Sequence, residues 1–378
     1  MLLRSLAAFA LLGALPVALG AGNPVVDNSR ADADGPHVFY RGKSVIVKTV
    51  ERLDTNAVVR IKEYGKKEGI ILTCTLPQSG DAFSFPIKDK LRVEKETYDL
   101  PERLLALSDI EGNFPALKMM LQAAQVMDDK FRWSFGKGHL VLVGDFFDRG
   151  LNVTECLWLI YKLENEAEAA GGKVHFILGN HELLNLSGEY GYVRRKYMEN
   201  AALMGDDYSL WYNEHTELGR WLRTKNAVER IGDYVFCHGG ISPALANTPL
   251  RLQDINILTR KFMGKPEYEI NDSLARLIFD TELGIFWFRG AAKNKLSDAD
   301  IENILKFAGA KRMVIGHTLV PDVMGLYDGR VVCIDLYHDE NLRQGFVKTL
   351  LIENGYMYVL NTSGEKASPY VLAARSKG

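Results

Sequence analysis

The sequence predicts a mixed α/β chain in which a small antiparallel β domain precedes a large unit of alternating strands and helices, and three observations carry that prediction. Short alternating apolar stretches fill residues 37 to 99. From Leu104 onward the rhythm changes to strand, loop, helix. Five apolar runs then end at Leu107, Val143, Leu178, Cys237 and Ile315, and each is followed at once by a small residue or a potential metal ligand, which collects five polar loops at one edge of a sheet.

Residues 1 to 21 read as a secretory signal, with Arg4 ahead of an apolar stretch from Leu6 to Leu19 and the small residues Ala18, Gly20 and Ala21 at a cleavage point. That stretch is shorter than the roughly 20 apolar residues a membrane span requires. Export to a bacterial periplasm or the medium is expected, without stable membrane insertion. Residues 22 to 36 are polar and read as a linker. In the β domain of residues 37 to 99, the pieces SVIVKTV, NAVVRIKEY, GIILTCTL and AFSFPI are separated by turn residues. No cluster of ligand side chains occurs there, so a packing or partner-binding module is expected.

The unit from 100 to 378 opens with a strand and a helix begun by Asn113 and Pro115, whose Leu117, Met120, Leu121 and Ala124 form one apolar stripe. Asn152 with Glu155 three residues on resembles a capping box for a second helix, which carries Leu159 and Leu163 and stops at Gly171 and Gly172. The strand KVHFIL follows. Residues 185 to 225 are helical and aromatic and read as an inserted cap, with Tyr190 and Tyr192 expected to border a pocket. Ser297 and Asp300 open a later helix, and RMVIG, VVCID, VKTLLI and YMYVL supply closing strands.

The length of 378 residues suits a large unit with a smaller accessory piece. With 46 basic residues against 48 acidic ones, the chain has no electrostatic footprint for nucleic acid or an anionic membrane. Four cysteines, Cys74, Cys156, Cys237 and Cys333, argue against a disulfide framework.

The loops read SDIEGN from Ser108, GDFFDRG from Gly144, GNHE from Gly179, HGG from His238 and GHT from Gly316. Asp, Glu, Asn and His are oxygen and nitrogen donors for hard or borderline divalent cations, and glycine beside them lets the backbone turn tightly. One such residue at a strand end is ordinarily a cap or a hydrogen-bonded polar group. Five loops in order make a metal site the natural reading.

The set resembles the calcineurin-like metallophosphoesterases, specifically the phosphoprotein-phosphatase branch, whose pattern runs GDxHG, GDxxDRG, GNHE, HGG and a later GH. GNHELLNLSGEYGYV, TELGRWLRTKNAV and IFWFRG are similar to the bacterial Shewanella-like phosphatases. The resemblance covers roughly Leu104 to Leu360. It implies a four-layer αββα sandwich with two mixed sheets, and a metal-dependent phosphomonoesterase acting on phosphotyrosine or phosphoserine/threonine in proteins, or on a small phosphoester. Two divalent ions are implied, Mn²⁺ foremost with Mg²⁺, Fe or Zn²⁺ as alternatives, sharing a bridging hydroxide that attacks phosphorus.

By the same resemblance Asp145 bridges the two ions, Asp109 and Glu111 complete the first, and Asn180, His238 and His317 hold the second. His181 protonates the leaving oxygen, Asp148 orients it, and Arg149 binds the phosphate, with Asn180 close by. Arg289 is the expected second arginine, ahead of Arg194 and Arg195. Glu182 is expected to orient backbone or His238, and His37, His139, His175, His215 and His338 read as structural.

The departure is Glu111, where the family ordinarily places His. In an extended segment it would point to the same side as Asp109 and favour Mn²⁺ or Mg²⁺ over Zn²⁺. The alternative is that it pairs with a neighbouring arginine. Two rival functions stay open: nucleotide or dinucleoside polyphosphate hydrolysis, and a binding pseudoenzyme with an impaired first metal site. The oligomeric state is not set by the sequence.

Overall fold

The computed structural model describes residues 31–53 and 56–371, so the signal stretch and most of the linker lie outside the described residues. Strands β1 (Asp34–Arg41), β2 (Ser44–Leu53) and β3 (Asn56–Tyr64) form an antiparallel sheet, and β4 (Ile71–Thr75) pairs with β5 (Ala82–Pro86) as a separate hairpin. In the hairpin Leu72, Cys74, Phe83 and Phe85 are buried between exposed neighbours, the period of two that one packed face demands.

The larger unit alternates β7 (Arg103–Leu107), α1 (Phe114–Ala123), β8 (His139–Val143), α2 (Val153–Ala169), β9 (Lys173–Ile177) and α3 (Asn180–Ser187), after a two-residue strand β6 (Thr97–Tyr98). Strands β7, β8 and β9 are parallel neighbours, buried over most of their length, which explains their unbroken apolar runs. Helices α4 (Arg195–Leu203) and α5 (Glu217–Leu222) lie in the aromatic stretch. Then come β10 (Val228–Ile231), β11 (Tyr234–Cys237), β12 (Arg312–Ile315), β13 (Met324–Leu326) and β14 (Val331–Cys333). The last four are β15 (Lys348–Glu353), β16 (Tyr356–Asn361), β17 (Lys366–Ala367) and β18 (Tyr370–Val371).

Two mixed sheets result, ordered β17-β16-β15-β7-β8-β9 and β18-β13-β14-β12-β11-β10-β6. With helices packed on them they form the expected αββα sandwich. One large hydrophobic core runs from Val38 through both sheets to Leu360, so the N-terminal strands are built onto the larger unit, and a small second cluster gathers Phe262, Ile270 and Ala275. Phe85 packs its ring 5.1 Å from Trp158 of α2, whose indole N–H donates to the Pro36 carbonyl at 2.7 Å. After Pro86 the chain leaves the small sheets, and β6 joins the seven-stranded sheet beside β10. Among the described residues no helix is long and apolar enough to cross a membrane. All four cysteines are buried and free.

The two helix starts read from sequence fare differently. Asn113 caps α1 by accepting the Ala116 N–H, with Pro115 in the first turn. At α2 the side chain of Asn152 makes no cap bond and donates instead to Gln78 at 3.1 Å, while Glu155 turns inward beside Lys196. The resemblance to a capping box there fails because the preceding β hairpin loop claims the asparagine.

Candidate active site

Strands β7, β8, β11 and β12 end at the residues expected, and β9 ends one residue early at Ile177. Four of the five loops line one cavity of about 1240 Å³ through Asp109, Asp145, Asn180, His181 and His317, while His238 of the fifth is fully buried. Asp109, Glu111, Asp145, Asp148, Arg149 and His317 each have φ between 48° and 72°, half of the twelve non-glycine residues in that region among those described. Such backbone is costly for residues with a Cβ and is retained where surrounding bonds enforce it. Here Asp109 N–H donates to Gly144 O and Glu111 N–H to Asp145 O, both at 2.9 Å. The Asp109–Gly112 segment is therefore a tight turn, which corrects the expectation of an extended one. Close approach also explains a glycine: a Cβ on Gly316 would lie 2.5 Å from Asp109 Oδ2.

His238 is fully buried and donates Nδ1–H to Val143 O at 2.7 Å, leaving Nε2 facing Asp145 Oδ2 at 3.0 Å and Asn180 Oδ1 at 2.9 Å. Single ligand atoms of Asp145, His238 and His317 fall within 4.8 Å of one another. His317 donates Nε2–H to Trp287 O at 3.1 Å, which leaves Nδ1 with the lone pair. These acceptors converge without a donor unless His238 is protonated. Burial alone would push the His238 imidazole down, yet the Asp145 and Asp109 carboxylates hold it up at about 10. A positive charge is thus required at this spot, and nitrogen and oxygen donors around a shared carboxylate fit a divalent cation.

His181 stands beside this cluster, its Nε2 3.9 Å from Asp145 Oδ2. Its Nδ1–H donates to Asp148 Oδ2 at 2.5 Å. Burial lowers the imidazole most, but the Asp148 bond and the Asp145 charge outweigh it and the net shift is upward. Asp148 is fixed in turn by Asn185 Nδ2 at 2.9 Å, and Tyr208 donates its hydroxyl to Asn185 Oδ1 at 2.7 Å. Glu182 accepts from the backbone N–H groups of Gly179, Asp145 and Phe146, so it orients backbone as expected.

Glu111 forms an ion pair with Arg149, realising the alternative that it pairs with a neighbouring arginine. One of its oxygens still lies within 4.8 Å of ligand atoms of Asp145 and His181. Arg289 lines the cavity and donates to the His317 carbonyl and, at 3.2 Å, to Thr318 Oγ1. Arg194 donates to the Arg149 carbonyl, and Arg195 pairs with Glu199 at 2.6 Å. Tyr192 borders the cavity, 5.0 Å ring to ring from His181, whereas Tyr190 packs on Tyr208. His338 also lines it and donates to Ser108 O at 2.9 Å.

Sequence reasoning missed Asn185 and Asp335. Asn185 sits four residues after His181 on α3, a spacing that puts both on one helix face and could have signalled it. Asp335 follows the apolar run VVCI, the same signature as the five motifs. It is nearly buried, and burial followed by the Asp109 charge pushes its carboxyl up to about 9.

Fold and site together define a phosphoester hydrolase that works with divalent metal ions. The chain belongs to the calcineurin-like phosphoesterases, whose family model matches residues 102–321. It is similar to the crystal structure of a cold-active protein-tyrosine phosphatase of a psychrophile Shewanella sp., at 30% identity and a TM-score of 0.79, covering 89% of this chain and 99% of that one. It is 26% identical over 302 residues to Shewanella-like protein phosphatase 2 of Arabidopsis thaliana, covering 68% of this chain and 76% of that protein. With Shewanella-like protein phosphatase 1 of Plasmodium berghei (strain Anka) it shares 27% identity over 266 residues, 65% of this chain and 71% of the other. The resemblance read from the motifs is borne out.

Proposed function

We propose that this chain is a two-metal phosphomonoesterase acting on phosphorylated protein side chains, phosphotyrosine first and phosphoserine or phosphothreonine second. The observation that carries the reading is the Asp148–His181 pair at 2.5 Å standing beside the Asp145, His238 and His317 cluster in one open cavity. At about 1240 Å³ that cavity exceeds the roughly 300–1,000 Å³ of small-ligand pockets and suits a side chain presented on a polypeptide. The names of the relatives, phosphatases of proteins, support the same class.

Asp109, Asp145, Asn180, His238 and His317 would hold the ions, with Glu111 shared between them and Arg149. Mn²⁺ suits this set because oxygen donors outnumber the two imidazoles. Bound ions would neutralise phosphate charge and lower the pKa of water. The chain's own residues do the rest. Arg149 and Arg289 grip phosphate oxygens from opposite loops. His181 keeps a proton on Nε2 for the departing phenolate or alkoxide, because Asp148 holds Nδ1 and fixes the ring. Export, by contrast, rests on the sequence of residues 1 to 21 alone: Arg4, the apolar stretch from Leu6 to Leu19, and the small residues Ala18, Gly20 and Ala21.

The test is turnover by metal-stripped protein, with Mn²⁺, Mg²⁺ or Zn²⁺ restored, on phosphotyrosine, phosphoserine and phosphothreonine peptides and a dinucleoside polyphosphate. Mn²⁺ is expected to restore the highest kcat/KM, with phosphotyrosine peptides preferred. Faster cleavage of the anhydride would move the substrate to nucleotides, and inertness with every metal would leave a binding protein.

A further inference from the structure

We propose that Asp335 is a metal ligand on the Asp109 side of the centre, an oxygen donor that does not depend on Glu111. The proposal rests on the two-metal reading and adds a residue to it. Its first support is strand register. Strands β12 and β14 are parallel neighbours with Ile315 opposite Cys333, so His317 and Asp335, each two residues beyond, emerge side by side at the same sheet edge. Ile334 N–H donates to Ile315 O and Val320 N–H to Asp335 O, both at 2.9 Å, which carries the pairing past the strand ends.

Attachment of the following segment to the Asp109 loop is the second support. His338 bonds the Ser108 carbonyl at 2.9 Å, and Asn113 Nδ2 donates to Asp339 at 2.6 Å. Since β7 and β14 belong to different sheets, this places Asp335 between the loop that carries Asp109 and the one that carries His317.

The third is an unmet need. Asp335 is 6% exposed and lines the cavity, yet among the described residues its carboxylate has no hydrogen bond or ion pair. The other acids have partners: Asp109 accepts from His317 N–H at 3.1 Å, Asp145 from His181 N–H at 2.9 Å, and Asp148 from His181 and Asn185. Burying a carboxylate without a hydrogen-bond donor is costly, and the positive charges of His238 and Arg289 that act on this one are outweighed by burial and by the carboxylates of Asp109 and Asp145. The charges acting on it most are those of Asp109, His238 and Asp145, members of the centre itself. With Glu111 engaged by Arg149, the Asp335 carboxylate faces the cavity without a hydrogen-bond donor among the described residues.

Calorimetric titration of the metal-stripped full chain with MnCl₂ tests this, beside metal-free melting temperatures. Wild type is expected to show two sites. Asp335→Asn, which keeps the shape and removes the charge, should weaken one of them at least about tenfold, on the scale of losing one group from a metal site. Glu340→Gln, at an exposed acid of the same segment that pairs with Arg343 outside the centre, should leave both affinities unchanged. Without metal, Asp335→Asn should melt at or above the wild-type temperature. Two sites of unchanged affinity in Asp335→Asn would overturn the proposal, and so would a lower metal-free melting temperature, which would reveal a structural partner. A wild type that takes up no Mn²⁺ would instead overturn the two-metal reading.

Discussion

His181 is held through three side chains in series. Asp148 holds its Nδ1, Asn185 holds Asp148, and Tyr208 holds Asn185, all of them buried. Removing the proposed acid, as in His181→Ala, should lower kcat by about 10²- to 10⁴-fold. Asn185→Ala leaves the imidazole in place but frees Asp148 to rotate, and a misplacement near 1 Å can cost on the order of 10²-fold. Both losses should be larger for phenyl phosphate, whose leaving group needs the proton, than for p-nitrophenyl phosphate. Equal losses on the two substrates would show that Asn185 supports structure and not proton donation.

At the level of elements, buried charge ties the segment between the small sheets and the sandwich to helix α2 and strand β9. Fully buried Lys225 bonds Glu164 of α2 at 2.8 Å and Glu94 at 3.0 Å, while Lys88 meets Glu164 at 2.8 Å and Lys173 of β9 meets Glu94 at 2.7 Å. Removing one partner leaves charge uncompensated in the interior, which costs about 3–5 kcal/mol. Glu164→Gln, which takes from Lys88 its carboxylate and leaves Lys225 with Glu94 alone, should therefore lower the unfolding free energy in urea by that amount, and a change below about 1 kcal/mol would mean the network contributes little. These partners lie far apart in sequence, so no local pattern announced them. The α1 cap was legible because Asn113 and Ala116 are neighbours in the chain. The start of α2 was legible too, with Asn152 at the N-cap, but its cap bond was not, because Gln78 takes the asparagine side chain.

For the whole molecule, acid should be destabilising through the half-buried His139. His139 is pushed down to about 3 by burial and then by the charges of His175 and Lys173, and its Nδ1 lies 3.0 Å from His175 Nε2. A folded-state value below the ordinary 6.5 means the unfolded chain binds the extra proton. The stability this neutral ring contributes is complete above about pH 6.5 and is lost as pH falls toward 3. Melting temperatures of His139→Gln should accordingly fall less steeply than wild type between pH 6.5 and pH 4. Parallel curves for the two proteins would show that His139 does not titrate differently on folding.

Five ordered motifs at the ends of apolar runs determined the family, the sandwich and the positions of Asp109, Asp145, Asn180, His181, His238 and His317, because strand termini and their loops are local in the chain and parallel neighbours bring them to one edge. Only the tertiary structure decided what Glu111 and Asp335 do. The first turns through left-handed backbone onto Arg149, a residue 38 positions away, and the second gains its place from the pairing of β14 with β12. Backbone sign and strand register are fixed by contacts between distant segments, and neither is written in the residues around the acid.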